Sequence, residues 1–127
     1  MLQQNSVALI TGAARGVGWG IARAFGIAGA RVCATDIGGD ELARCARDLA
    51  ADGTEYVTCL SDVADLAECR RVVKTIVDRW GRLDVVVHNA IYMPLITFEA
   101  TRRRSGRGRS MSASADCSIA RTPCGIR

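Results

Sequence analysis

The chain has one histidine, His88, and one lysine, Lys74. A histidine-rich metal site is excluded by that count. None of the six cysteines stands in a C-x-x-C pair, so the usual spacing of zinc ribbons and redox dithiols is missing. No apolar run approaches the roughly 20 residues that a membrane-spanning helix needs. Met1–Ser6 holds no basic residue, so the charged opening of a secretory signal is absent. The cytoplasm is therefore the expected compartment. Most of Cys33, Cys45, Cys59, Cys69, Cys117 and Cys124 are expected as reduced, small apolar core residues. No internal repeat at solenoid periods is visible.

What is present suits one packed domain. Of 127 residues, 49% are apolar and 24% charged, which argues against a chain disordered throughout. The formal charge of +4 is unevenly placed. Residues 101–127 hold seven arginines against one acid, Asp116, for a net +6. Residues 1–100 hold ten basic and twelve acidic residues, for a net −2. The pattern is a mildly acidic body with a basic tail, not a basic domain.

Apolar periodicity orders the body. Val7–Thr11 is a short apolar run that stops at Gly12, long enough for a buried strand and too short for a helix. Trp19–Ala28 has helical spacing at Ile21, Ala22, Phe25 and Ala28, and Gly29 ends it. Arg31–Asp36 reads as a second strand, Asp40–Ala51 as a second helix, and Glu55–Leu60 as a third strand. A third helix is expected from Ser61 or Asp62 to Trp80. Leu83–His88 is a fourth strand whose Val85-Val86-Val87 run suggests burial on both faces. Trp19 and Trp80 are expected as helix packing residues, and Asp62 and Asp65 as helix caps. Alternating strands and helices with short links give an α/β fold with a parallel sheet and right-handed crossovers.

One turn carries chemistry. The first strand runs into Thr11-Gly12-Ala13-Ala14-Arg15-Gly16-Val17-Gly18. Gly12 permits a tight turn, Gly16 lets the backbone approach a pyrophosphate, and Gly18 lets the helix pack close to the sheet. The second strand ends in Asp36, 18 residues beyond Gly18 and close to the roughly 20 expected of an acid that binds ribose hydroxyls. The glycine pattern by itself is weak; a strand before it, a helix after it and Asp36 make it strong.

These residues resemble the short-chain dehydrogenase/reductase family, over about residues 5–100. Thr11–Gly18 match its T-G-x-x-x-G-x-G, Asp62-Val63 match the Asp-Val pair after the third strand, and His88-Asn89-Ala90-Ile91 match its N-N-A-G in part. The resemblance implies a Rossmann-type parallel sheet with flanking helices, incomplete at about four strands, over residues 1–100. It implies NAD as cofactor. Gly12, Gly16, Val17 and Gly18 would line the pyrophosphate, and Arg15 in the same cofactor-binding loop would pull weakly toward an extra phosphate. Asp36 would take the adenosine ribose, and Ile37 would flank the adenine. Asp62 and Val63 would meet the adenine edge and face. Asn89 and Ala90 would steady the fourth strand and meet the nicotinamide-side ribose. His88 and Ile91 depart from the motif, and a β-branched Ile91 does not easily take a positive φ. His88 is expected as a structural histidine rather than a base.

The family's proton transfer uses a serine and a Tyr-x-x-x-Lys pair. Tyr56 and Tyr92 are followed four residues later by Leu60 and Ile96, so no such pair exists, and no catalytic residue is assigned. Residues 101–127 are rich in Arg, Ser and Gly and have no amphipathic period, so they are expected to form a disordered tail. Codons chosen one base earlier turn Arg103–Gly106 into Glu-Glu-Trp and Ser110–Ser112 into Val-Asp-Val, a stretch similar to the family's next helix. A frameshifted end is therefore expected, with a natural basic tail as the alternative. The leading reading is the NAD(H)-binding part of an oxidoreductase, with a small-molecule substrate only in a full-length relative. A non-enzymatic NAD-binding or interaction module is the second reading. Nucleic-acid binding through Arg102–Arg109 is a third, and lacks interleaved aromatics for base stacking. Self-association is expected from the exposed fourth strand.

Overall fold

The computed structural model describes residues 4–91 and the pair Cys117–Ser118. Strands β1 (Val7–Thr11), β2 (Arg31–Asp36), β3 (Tyr56–Leu60) and β4 (Val85–Val87) alternate with helices α1 (Gly16–Ile27), α2 (Gly39–Ala51) and α3 (Leu66–Trp80). β5 is the two-residue Cys117–Ser118. The sheet order is β4-β1-β2-β3-β5. β1 pairs in parallel with both β2 and β4, and β2 with β3. The chain thus steps from β1 to β3 in one direction and then returns to the other side of β1.

Side chains alternate across the sheet and form two cores. Ala8, Ile10, Val32, Ala34 and Tyr56 face α1 and α2, meeting Ala22, Leu42, Cys45 and Leu49. Val7, Leu9, Cys33, Val57 and Cys59 face α3, meeting Val72 and Ile76. Ile10, Leu49 and Ile76 are fully buried, and each such side chain contributes about 1.5–3 kcal/mol. Trp19 and Trp80 pack at the margins of these cores. Cys33, Cys45 and Cys59 are buried. Desolvation pushes the Cys45 thiol up to about 11, so it stays protonated as a small apolar residue.

Three expectations change. The third helix begins at Leu66, later than Ser61 or Asp62, because Asp65 is the cap: its Oδ1 accepts from the amides of Ala67 and Glu68. β4 is not buried on both faces. Val86 is 56% exposed, because among the described residues β4 is the sheet's edge and α3 lies over β1, β2 and β3. Cys117 and Ser118 add an antiparallel fifth strand on the outer side of β3, where an open edge offers unpaired backbone groups. The remainder of the expected 101–127 tail lies outside the described residues. Among those residues no helix is long and apolar enough to cross a membrane.

Candidate functional site

The reversal of strand order between β1 and β4 creates a crevice at the carboxyl ends of the strands, the usual ligand position in open α/β sheets. The turn after β1 approaches the end of β4 there. Gly12 has φ +64, and a Cβ on it would lie 2.9 Å from Ala90 Cα. A Cβ on Gly18 would lie 2.0 Å from the Gly12 carbonyl oxygen. The start of α1 therefore rests directly on the turn, and only glycine permits either contact. Gly16 differs: its φ is +58, but a Cβ would meet nothing within 4 Å. It faces open space, as a backbone meant for a ligand should.

Arg15 is the N-cap of α1 and makes no side-chain capping bond, and the first turn contains no acid. The amides at this helix start are thus uncapped, and the helix dipole adds positive potential. Arg15, Gly16 and Val17 are exposed, Val17 by 71%.

Asp36 fastens the loop to β2. Its Oδ2 accepts from the Ala14 amide at 3.1 Å, and its Oδ1 accepts from the amides of Ile37 and Gly38 at 2.8 and 3.2 Å. A carboxylate offers about four lone-pair sites, so one acceptor position on Oδ2 is left. Ile37 beside it is 61% exposed. The Asp36 carbonyl accepts from Ser61, which brings the loop after β3 to the same edge. Asp62 and Val63 stand in that loop, half-buried.

Thr11 is the residue that motif reading left without a role. Its Oγ1 accepts from the amides of Asn89 and Ala90 at 3.0 and 3.1 Å, while Asn89 Nδ2 donates to the Gly12 carbonyl at 3.2 Å. The hydroxyl ties β4 to the glycine turn. The signal was present, since threonine opens the motif, but its partners are 78 and 79 residues away in sequence.

All eleven expected residues line this one edge. Tyr56 and Lys74 do not. Tyr56 is buried in the core, and Lys74 pairs with Asp78 on the outer surface of α3. His88 is exposed at the end of β4, so it is not a core histidine. Tyr92 lies outside the described residues. Among the described residues no cluster of His, Cys, Asp or Glu could hold a metal ion.

A glycine turn between strand and helix, an acid ending the second strand and a crevice at the switch point define a dinucleotide-binding α/β fold. The family model for short chain dehydrogenase matches residues 6–106, and the chain belongs to that family. It is 44% identical over 90 residues to galactitol 2-dehydrogenase from Agrobacterium fabrum, covering 71% of this chain and 34% of that protein. It is 38% identical to sorbitol dehydrogenase from Cereibacter sphaeroides, covering 83% of this chain and 40% of that one. Among solved structures, the short chain dehydrogenase from Mycobacterium paratuberculosis bound to NAD superposes with a TM-score of 0.71 at 32% identity, covering 76% of this chain and 41% of that chain. The actinorhodin polyketide ketoreductase with NADPH gives 0.66 at 37% identity, covering 68% and 33%. The chain thus spans about a third to two fifths of the length of these relatives.

Proposed function

We propose that this chain is the NAD(H)-binding part of an oxidoreductase that moves a hydride between the nicotinamide and an alcohol or ketone. A nicotinamide dinucleotide is supported by family membership and by the relatives whose structures hold NAD or NADPH. The choice of NAD rests on one observation: the Asp36 carboxylate, held at the loop by the Ala14 amide. A fixed negative charge there repels a 2′-phosphate, and its remaining lone pair can accept from a free hydroxyl. Arg15 opposes this weakly, being exposed and capable of turning to solvent. In this reading Gly12, Arg15, Gly16, Val17 and Gly18 hold the pyrophosphate. Ile37, Asp62 and Val63 hold the adenine. Asn89 and Ala90 meet the second ribose.

Hydride transfer also needs a tuned acid/base group. Tyr56 is buried in the core and Lys74 lies on the outer surface of α3, so the family's tyrosine–lysine pair is not formed by the described residues, whose assigned roles in this reading are in binding. Calorimetry with NAD and NADP tests the proposal. Tighter binding of NAD is expected, with the preference narrowed in Asp36→Ala. Tighter binding of NADP overturns the assignment of Asp36.

A further inference from the structure

The loop from β3 to α3, residues 60–65, is gripped from α3 at several points. Arg71 Nη2 donates to the Leu60 carbonyl at 2.8 Å. Cys69 Sγ lies 3.6 Å from the Val63 carbonyl as donor. Glu68 Oε2 accepts from the Asp62 amide at 2.6 Å. Within the loop, Asp62 Oδ1 accepts from the Ala64 amide, and the Asp62 carbonyl from the Asp65 amide.

Glu68 is the unusual member. An acid at the third helical position ordinarily reaches back to the amide of the N-cap itself. Here the N-cap amide, that of Asp65, already donates to Asp62. Glu68 reaches three residues further and takes the amide of Asp62, a proposed adenine contact. A carboxylate acceptor makes this bond charge-assisted.

We propose that Glu68 is a positioning residue for the adenine end of the site, which sets how well the protein distinguishes adenine from other bases. The proposal rests on the NAD(H) reading above. The Asp62 side chain has Oδ1 taken by Ala64, and its Oδ2 carries no hydrogen bond among the described residues. On the adenine assignment proposed above, that oxygen would accept from an exocyclic amino group. Adenine has one; hypoxanthine presents a carbonyl there, which a carboxylate repels. Without Glu68 the Asp62 amide loses its partner, and the side chain loses the backbone that aims it.

The test uses the full chain, calorimetry, and two ligands: NAD and nicotinamide hypoxanthine dinucleotide. The wild type should prefer NAD. Glu68→Ala should lose roughly tenfold in NAD affinity, the value of one hydrogen bond to a charged group, with little change for the hypoxanthine ligand. Glu68→Gln keeps an oxygen acceptor and should retain the preference. Glu68→Asp keeps the first-turn charge but falls short of the Asp62 amide, so it should behave as Glu68→Ala and carries the test if the alanine variant does not fold. Equal losses for both ligands would indicate a merely structural role and overturn the proposal. An undiminished preference in Glu68→Ala and Glu68→Asp would also overturn it. A wild type that binds neither ligand overturns the NAD(H) reading itself, and this assignment with it.

Discussion

Val7 and Asp84 bond to each other in both directions. The Val7 amide donates to Asp84 Oδ2 at 2.8 Å, and the Asp84 amide donates to the Val7 carbonyl at 2.9 Å. This pair starts the pairing of β1 with β4, at the opposite end of the sheet from the glycine turn.

Hydrogen bonds from Arg82 and then from the Val7 amide hold the Asp84 carboxyl below its ordinary range. A depressed folded-state pKa stabilises the fold above the unfolded value, about 3.9, and that contribution is lost as pH falls through the folded value. Asp84→Asn should therefore lower the melting temperature at pH 7, and the difference from wild type should shrink below about pH 4. A difference independent of pH would contradict the ionic account.

Gly16 and Gly18 should fail in different ways. Gly18→Ala places a methyl against the Gly12 carbonyl, and overpacking of this kind costs roughly 1–3 kcal/mol. Gly16→Ala meets no neighbour and incurs only the left-handed backbone penalty, roughly 1–2 kcal/mol. Thermal melts should thus rank Gly18→Ala as the more destabilised. NAD titration should show Gly16→Ala impaired even where it is fully folded.

Thr11→Val keeps the shape but leaves the amides of Asn89 and Ala90 without their acceptor. A fully buried donor left unsatisfied costs about 1–3 kcal/mol and these part-buried amides lose less, whereas Thr11→Ser retains the oxygen. Faster amide exchange at 89 and 90 in the valine variant, and not in the serine variant, is the expected result.

The outer side of β4 should attract apolar partners. Val73 and Val77 follow the buried Val72 and Ile76 by one residue each, which sets them on the flank of α3, and both are exposed. Val86 on β4 is also exposed. We expect concentration-dependent association and binding of a hydrophobic dye, both reduced by Val86→Lys. A dye-free monomer at all concentrations would contradict this.

Turnover should be slow. No Tyr-x-x-x-Lys pair occurs in this sequence, and among the described residues Tyr56 is buried and Lys74 lies on the outer surface of α3, so the family's acid/base contribution of about 10²–10⁴-fold is expected to be missing. NADH production at a rate typical of the family, abolished by Asp36→Ala, would reveal a substitute group.

Local order was legible in the residues themselves. Apolar patterning placed β1, β2 and α2 within a residue of their observed limits: the two strands, buried on both faces, read as short runs stopped by glycines or an acid, and α2, buried on one side, repeats with the helical period. Glycines and an acid at fixed offsets marked the turn at the carboxyl end of β1 and the residue that ends β2, because a tight turn and a close backbone approach admit few residue types. The tertiary structure alone decided what depends on distant partners. Thr11 gained its role from amides 78 and 79 residues away, and Glu68 reached past its own cap to Asp62. The three valines of β4 read as a buried strand, yet burial is set by what packs alongside, and Val86 lies at an edge. Periodicity reports which face a residue takes; only the assembled sheet determines whether anything covers that face.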